Sequence, residues 1–443
     1  MRSPLALFGL WLTAGCSWRP DDRPDIVLVV IDTLRADHLG VYGHPRPTSP
    51  NLDQMAREGV WFSQAYAQSG WTLASFASLF TGQLPHQHRV GRDPLDATKY
   101  GSVPAEVTTL AESLQASGYA TAAIMNNTFL APAFELRQGF DNYDWQGASN
   151  DRHRSAALSV RAGMDWLNQQ DKPSFLVVHM MEPHLDYAPP PETRGTFLPN
   201  PPLPVPLANP MAYVRAGQLE LNPQTISAIT ALYDEEVLAA DSAVGELRRR
   251  LAQRERPTVT IVTSDHGEEF WDHGGYEHGH SLYSELTRIP LIVTGPDLPV
   301  TGEIRTPVQH LDLYQGILSL AGAKAGDNTG GEDLFSVMAS STVDRPIVNE
   351  NTLYGPPLVS LVHGGHRLVF KQLNGAAEVW KLGPDGMDRQ RLTGDPQKTV
   401  ARQMLPTLEK IRGDLRPISS VAGPHIPDPD TFQKLKALGY VDE

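Results

Sequence analysis

A chain of 443 residues, 40% of them hydrophobic, is long enough for one large α/β domain with an appendage or for roughly two to three smaller ones. A formal net charge of −14 argues against a nucleic-acid partner, since phosphate backbones are held by Lys and Arg, and it means that any anionic substrate must be met by a metal or a few placed side chains. The single cysteine, Cys16, excludes a disulfide framework.

Arg2 precedes the apolar run Leu5 to Leu12, and Thr13-Ala14-Gly15-Cys16 follows. This is a signal-peptide layout, with an apolar stretch too short to span a bilayer as a mature helix. It resembles a bacterial lipoprotein signal, whose cysteine becomes the lipidated N-terminus. The expectation is a leader over 1–16, lipidation at Cys16, a polar linker over 17–24, and an exported protein tethered to a membrane of the bacterial cell envelope. Ser17, in place of Asp after the cysteine, favours the outer membrane. An ordinary secretory leader with a chance cysteine is the alternative.

Asp25 to Ile31 (DIVLVVI) is an apolar, β-branched run that predicts a parallel strand buried on both faces, delivering Asp32 at its carboxyl end. Ser49 and Pro50 predict a helix start, with Leu52, Met55 and Ala56 on its buried side and Gly59 at its stop. Val60 to Ala65 reads as a second strand. In SGWTLASFASLFTG, residues 69–82, the apolar positions Leu73, Phe76, Ala77 and Phe80 follow helical spacing, and Gly82 is the stop. Thr72 heads that helix, either as its N-cap or as a nucleophile at an anion-binding helix start. His86 and His88 lie in a polar loop.

A helix over 106–117 leads to a small-residue strand, Ala120 to Met125, with Asn126 and Asn127 at its end. A helix over 151–169 is expected to bury Leu158, Ala162, Trp166 and Leu167. Ser174 to His179 is a strand running into Glu182-Pro183-His184, and 186–210 is a proline-rich surface excursion. The longest helix spans 225–250. The most β-branched strand, Pro257 to Thr263, enters Ser264-Asp265-His266-Gly267-Glu268, with a buried strand at 289–293 and a helix at 310–320 after it. This alternation predicts a mainly parallel sheet with helices on both faces over 25–330. Short strands near 359–363, 367–371 and 379–382, a helix over 397–413 and a short tail predict a small antiparallel sheet with one covering helix in an α+β subdomain, 331–443.

Ligands of open α/β sheets gather at the carboxyl ends of strands. Asp32, Asp265 and His266 all sit there, and Thr72 heads a helix on the same edge. Two carboxylates, an imidazole and a hydroxyl make a site for one divalent cation with mixed oxygen and nitrogen ligands. His273 and His280 read as solvated loop residues, and Glu268 and Glu269 as supporting or surface groups.

The blocks DIVLVVIDTLRADHLGVYG (25–43), TSPNLD (48–53), 71–82, GYAT (118–121), TSDHGE (263–268), HGHSLYSELTRIP (278–290) and ALGYV (437–441) resemble, in order, those of the sulfatase family of the alkaline phosphatase superfamily. The resemblance implies that Asp32, Asp265 and His266 bind one metal ion with Thr72, and that His184 contacts the transferred group or its leaving oxygen. It puts His278, or His280 in the alternative register, beside the substrate, and Asn127 or Asn126 near its oxyanion. Thr33 replaces the second Asp of the family's metal pair. The nucleophile block departs most, with Thr72-Leu73-Ala74-Ser75-Phe76 standing where sulfatases carry Cys-x-Pro-Ser-Arg and its formylglycine. A Thr there resembles phosphodiesterase and phosphoglycerol-transferase relatives. The resemblance therefore implies a sulfate- or phosphate-ester hydrolase or transferase that leans to phosphoesters. A sulfatase without formylglycine and a degenerate binding protein are the alternatives.

Overall fold

The computed structural model describes residues 22–93, 95–147, 153–198, 203, 209–340, 344–417, 423–437 and 440. The leader with Cys16 lies outside the described residues, as does much of the proline-rich excursion. No described helix is long and apolar enough to cross a membrane.

Eight strands form the main sheet: β1 (Asp25–Ile31), β2 (Val60–Phe62), β3 (Ala120–Met125), β4 (Asn142–Trp145), β5 (Ser174–Met180), β6 (Thr258–Thr263), β7 (Leu291–Thr294) and β8 (Gly302–Ile304). Their order is β8-β2-β7-β6-β1-β5-β3-β4. All run parallel except β7, which pairs antiparallel with both β6 and β2. The central β1 pairs Val30 with His179 of β5 and with Thr263 of β6, so three strands end at one level.

Alternation along β1 divides the core. Ile26, Leu28 and Val30 join one cluster with Leu73, Phe76 and Phe80 of α2 (Thr72–Thr81) and Leu313 and Ile317 of a helix over His310–Ala321. Val27, Val29 and Ile31 face the other way, against Leu52 and Met55 of α1 (Pro50–Glu58), Val160 and Met164 of Ala156–Leu167, and Ile229 and Leu232 of Pro223–Leu251. Each such side chain is worth about 1.5–3 kcal/mol when fully buried, so β1 anchors both layers. A separate antiparallel sheet of five strands, in sequence order, spans Ile347–Glu350, Leu358–His363, His366–Lys371, Ala376–Leu382 and Asp388–Leu392. Met404 and Leu408 of the helix Gly394–Asp414 cover its apolar face.

Several expectations are corrected here. The run from Val60 splits: β2 ends at Phe62, and Ala65–Tyr66 joins a small three-stranded sheet. The helix expected over 151–169 spans Ala156–Leu167, capped by Ser155, and Leu158 is 49% exposed. Gly163 sets its orientation: a Cβ there would lie 3.0 Å from Val178, so the backbone is pressed on β5 and Leu158 is turned outward. Asp388–Leu392 (DRQRL) carries no apolar alternation because it is an edge strand.

Candidate active site

The helix α2 begins at Thr72, but Thr72 is not its cap. Trp71 occupies that position and supplies no side-chain cap, so the Thr72 hydroxyl is the first helical side chain at a bare N-terminus. The whole helix is buried, and Gly82 closes it in the left-handed region at φ 65°. Thr72 Oγ1 lies 3.3 Å from His266 Nε2 and accepts a long contact of 3.4 Å from Asn127 Nδ2.

The carboxylates of Asp32 and Asp265 are fully buried, and each has one oxygen held by donors. Asp32 Oδ2 accepts from Asn127 Nδ2 at 2.7 Å, with His179 Nε2 at 3.2 Å. Asp265 Oδ1 accepts from the backbone N–H groups of His266 (2.9 Å) and Thr33 (3.3 Å). Among the described residues the other two oxygens, Asp32 Oδ1 and Asp265 Oδ2, have no hydrogen-bond partner. His266 Nδ1 is 2.8 Å from the Gly267 carbonyl, which makes Nδ1 the protonated nitrogen and leaves the Nε2 lone pair facing the acids. Nε2 is 3.3 Å from Asp265 Oδ2 and 3.8 Å from Asp32 Oδ1.

Electrostatics agree with the geometry. Burial, then the charge of His278, hold His266 down at about 3, so it is neutral. Burial and the neighbouring Asp32 charge push Asp265 well up; against its own burial, His184, His179 and His266 hold Asp32 below the carboxylate range. Three candidate ligand atoms, one from each of Asp32, Asp265 and His266, thus converge within 4.8 Å of one another. Such a donor set fits a divalent cation, with Asp32, Asp265 and His266 as the protein's ligands and Thr72 beside them.

The supporting residues come from distant segments. Ser75, one turn along α2, donates to the Asp265 carbonyl at 2.5 Å, and His310 Nε2 lies 2.9 Å from the Ser264 carbonyl. Buried Arg35 donates to the Glu268 carbonyl and pairs with Asp37 and Asp272, tying the loops after β1 and β6 together. Thr33 stands at φ 56°, its buried hydroxyl without a hydrogen-bond partner among the described residues.

His184 and His278 complete the cluster. His278 stacks obliquely on His266 with centroids 4.6 Å apart, and His184 meets His278 edge-on at 5.1 Å. His278 Nδ1 is 3.0 Å from Glu268 Oε1. Burial, then His184, hold His278 at about 3, while burial pushes Glu268 up to about 7. His184 Nδ1 is held by the Leu185 carbonyl at 2.9 Å, and its buried Nε2 has no hydrogen-bond partner among the described residues.

The structure decides the open pairs of residues. Asn127, not Asn126, reaches Thr72 and Asp32; Asn126 donates to Ser159 and the His179 carbonyl. His278 joins the cluster, whereas His280 is turned to Glu269 at 2.7 Å and is 29% exposed on the side chain. His273 is not solvated: it stacks on Tyr283 and pairs with Glu285 at 2.7 Å. Glu268 is fully buried, not a surface group. His86 and His88 diverge, to Glu350 and to Ser78. Sequence reading missed His179, whose only signal was an imidazole closing a buried strand.

Comparison with known proteins identifies the family and the fold. The Sulfatase family model matches residues 24–323. The chain is 25% identical over 366 residues to the uncharacterized sulfatase YidJ of Escherichia coli (strain K12), covering 71% of each chain. It is 26% identical over 430 residues to mouse N-acetylgalactosamine-6-sulfatase, covering 88% of this chain and 79% of that enzyme. The stronger local match to arylsulfatase A of Bos taurus, 38% over 116 residues, spans only 26% of this chain and 23% of that enzyme. Among solved structures, a 2-O GAG sulfatase superposes with a TM-score of 0.72 at 19% identity, over 93% of this chain and 96% of that one. The phosphonate monoester hydrolase of Agrobacterium radiobacter gives 0.71 at 18%, over 92% and 100%. With the family model covering most of the chain and the fold shared along its length, this chain belongs to the Sulfatase family of hydrolases.

Proposed function

We propose that this Sulfatase-family hydrolase cleaves phosphate esters with Thr72 as nucleophile. The observation that carries the reading is the Thr72 hydroxyl, uncapped at a buried helix start and within 3.4 Å of both His266 and Asn127. The formylglycine route is closed at residue 72, because the β-methyl of Thr72 prevents its oxidation to that aldehyde and the only Cys is Cys16. Asp32, Asp265 and His266 would hold one divalent cation, which when bound lowers the pKa of a nearby hydroxyl and neutralises the oxygens of the transferred group. Thr72 Oγ gives its proton to water and forms a bond to phosphorus as the bond to the leaving oxygen breaks, and the leaving oxygen takes a proton that Glu268, held near 7, passes through His278, against which His184 packs. Asn127 Nδ2 orients the hydroxyl. Water then cleaves the phospho-threonine and regenerates Thr72. An acceptor alcohol in place of water would make the same site a transferase.

Sulfate esters are the second reading, favoured by the curated relatives, which are named as sulfatases. Parallel assays of phosphate monoesters, phosphodiesters and aryl sulfates decide between them; a strong sulfate preference overturns the phosphoester reading. Thr72→Ala lowers kcat on the preferred ester by at least about a thousandfold, with thermal midpoint and metal content retained. Full activity in that variant refutes Thr72 as nucleophile. Wild-type protein that retains no metal and turns over no ester would instead be a binding protein. We propose further that Cys16 carries the lipid: fatty-acid labelling of the exported protein should disappear in Cys16→Ala.

A further inference from the structure

Two tyrosines from the C-terminal third of the chain pack on the loops that carry His278 and Asn127. The first, Tyr354, belongs to the loop after Ile347–Glu350. Its N–H and that of Leu353 donate to the Gly279 carbonyl, at 2.9 and 2.7 Å. Its ring lies so near that a Cβ on Gly279 would be 3.5 Å from Tyr354 Cδ2. Gly279 directly follows His278. The second, Tyr440, lies beyond the tail helix Pro429–Ala437. Its ring packs on Phe129 with centroids 4.7 Å apart, and its carbonyl accepts from the Tyr100 hydroxyl at 3.1 Å. Phe129 in turn donates its N–H to Asn127 Oδ1. One tyrosine is therefore seated on the His278 loop and the other on the Asn127 loop.

Both tyrosines are only half-buried, although each packs against the main core. Burial pushes the Tyr440 phenol up, and the charges of Tyr354, Asp32, Glu277 and Glu268 push it further, so this ring shares the electrostatic surroundings of the cluster's carboxylates. None of the proton transfers or ligand positions above uses either ring. Half-covered, rigid aromatic faces beside a reacting centre suit a flat apolar surface on a substrate, because stacking adds to area burial and little rotamer freedom is lost.

We infer that Tyr354 and Tyr440 form an aromatic rim that grips the alcohol portion of the ester, selecting a leaving group built on a ring over a short alkyl group. The inference rests on reading the Thr72 cluster as an ester-cleaving site. An aryl alcohol and the apolar face of a cyclic sugar share the required chemistry.

Calorimetric titration in the Thr72→Ala background, with metal present, tests the rim without turnover. The probes are the phosphate and sulfate esters of phenol, glucose and ethanol. The expected result is tighter binding of a ring ester than of the ethyl ester, weakened about three- to tenfold by Tyr440→Ala and by Tyr354→Ala. The ethyl ester should weaken less than the ring ester, and Tyr440→Phe should restore ring binding. Preference for phenyl or for glucosyl esters identifies which ring the rim takes. Equal weakening of ring and ethyl esters, no weakening, or no ring preference in the parent protein overturns the rim. Thermal midpoints show whether each variant is folded, and the two separate alanine variants keep the test open should one fail. Failure of the esterase reading appears separately, as absence of turnover of every ester by wild-type enzyme. With Thr72 intact, Tyr440→Ala should affect KM more than kcat on a ring ester.

Discussion

Two buried groups of carboxylate and imidazole can be set side by side. In one, Asp234 meets His38 Nδ1 at 2.6 Å, His44 Nε2 at 3.2 Å and Arg46 Nη1 at 2.7 Å, so both of its oxygens are bonded. Against the penalty of burial, the hydrogen bonds from His38 and His44 hold Asp234 below the carboxylate range. In the other, Asp32 and Asp265 face a neutral His266, and one oxygen of each is left without a hydrogen-bond partner among the described residues. Both groups join buried carboxylate to imidazole. The difference lies in hydrogen bonding: among the described residues the carboxylate oxygens of Asp234 are all bonded, whereas the Asp32 group keeps lone pairs that a cation could take. A buried acid–imidazole cluster becomes a candidate metal site through its unsatisfied lone pairs, not its composition.

The largest effect that would sharpen this contrast is on turnover. Asp265→Asn should lower kcat/KM on the preferred ester by about a thousandfold or more and abolish stoichiometric metal retention, since it removes a charged ligand from the transition state. Asp234→Asn should leave metal content unchanged, as elemental analysis of both variants would show. Loss of metal in Asp234→Asn with retention in Asp265→Asn would reverse the assignment.

Stability should change in opposite directions. In chelator-treated protein, Asp234→Asn costs about 3 kcal/mol in urea unfolding, because the Arg46 guanidinium loses its counter-charge and the His38 and His44 rings lose an anionic hydrogen-bond partner. Asp265→Asn should stabilise the same metal-free protein by about 1 kcal/mol, because it removes a buried carboxylate from beside a second one. Destabilisation by both would mean that the two acids play equivalent structural roles.

A smaller effect concerns His88, a buried imidazole whose ring is 3.0 Å from Ser78 Oγ and accepts from the Val90 N–H, with no acid at hydrogen-bond distance. Burial, then the charge of His86, hold it at about 3, below its ordinary 6.5. As pH falls through 6.5 the unfolded chain takes up the proton first, so the stability contribution is complete above 6.5 and declines toward 3, at up to about 1.4 kcal/mol per pH unit. Urea midpoints at pH 7 and pH 5 should therefore move apart less in His88→Gln than in wild type, by about 1–2 kcal/mol. An unchanged difference would show that burial does not hold His88 below its unfolded-state pKa.

Much of the scaffold is legible in local pattern. The run Asp25–Ile31 is a strand because its β-branched residues serve two cores at once, and the residue after it must emerge at the sheet's carboxyl edge. The same reasoning brings out Asp265 and His266 after Thr258–Thr263 and Asn127 beyond Ala120–Met125. The helix start at Thr72 follows from apolar spacing and a terminal Gly82. Other features have no local signature. His278 and His280 differ only in which glutamate they meet across the turn at Gly279, φ 84°. Leu158 fits a buried helical stripe by spacing, yet the close approach of Gly163 to β5 turns it outward.

The sequence by itself therefore determined the elements, the α/β layering and the acids and hydroxyl delivered to one sheet edge, because periodicity and strand ends are local properties of a chain. Tertiary structure alone decided which lone pairs remain unsatisfied, that Thr72 leaves the capping position to Trp71, that His179 stands behind Asp32, and that Tyr440 comes to rest on Phe129. Those contacts join residues up to hundreds of positions apart, and their distances are set by how the layers pack.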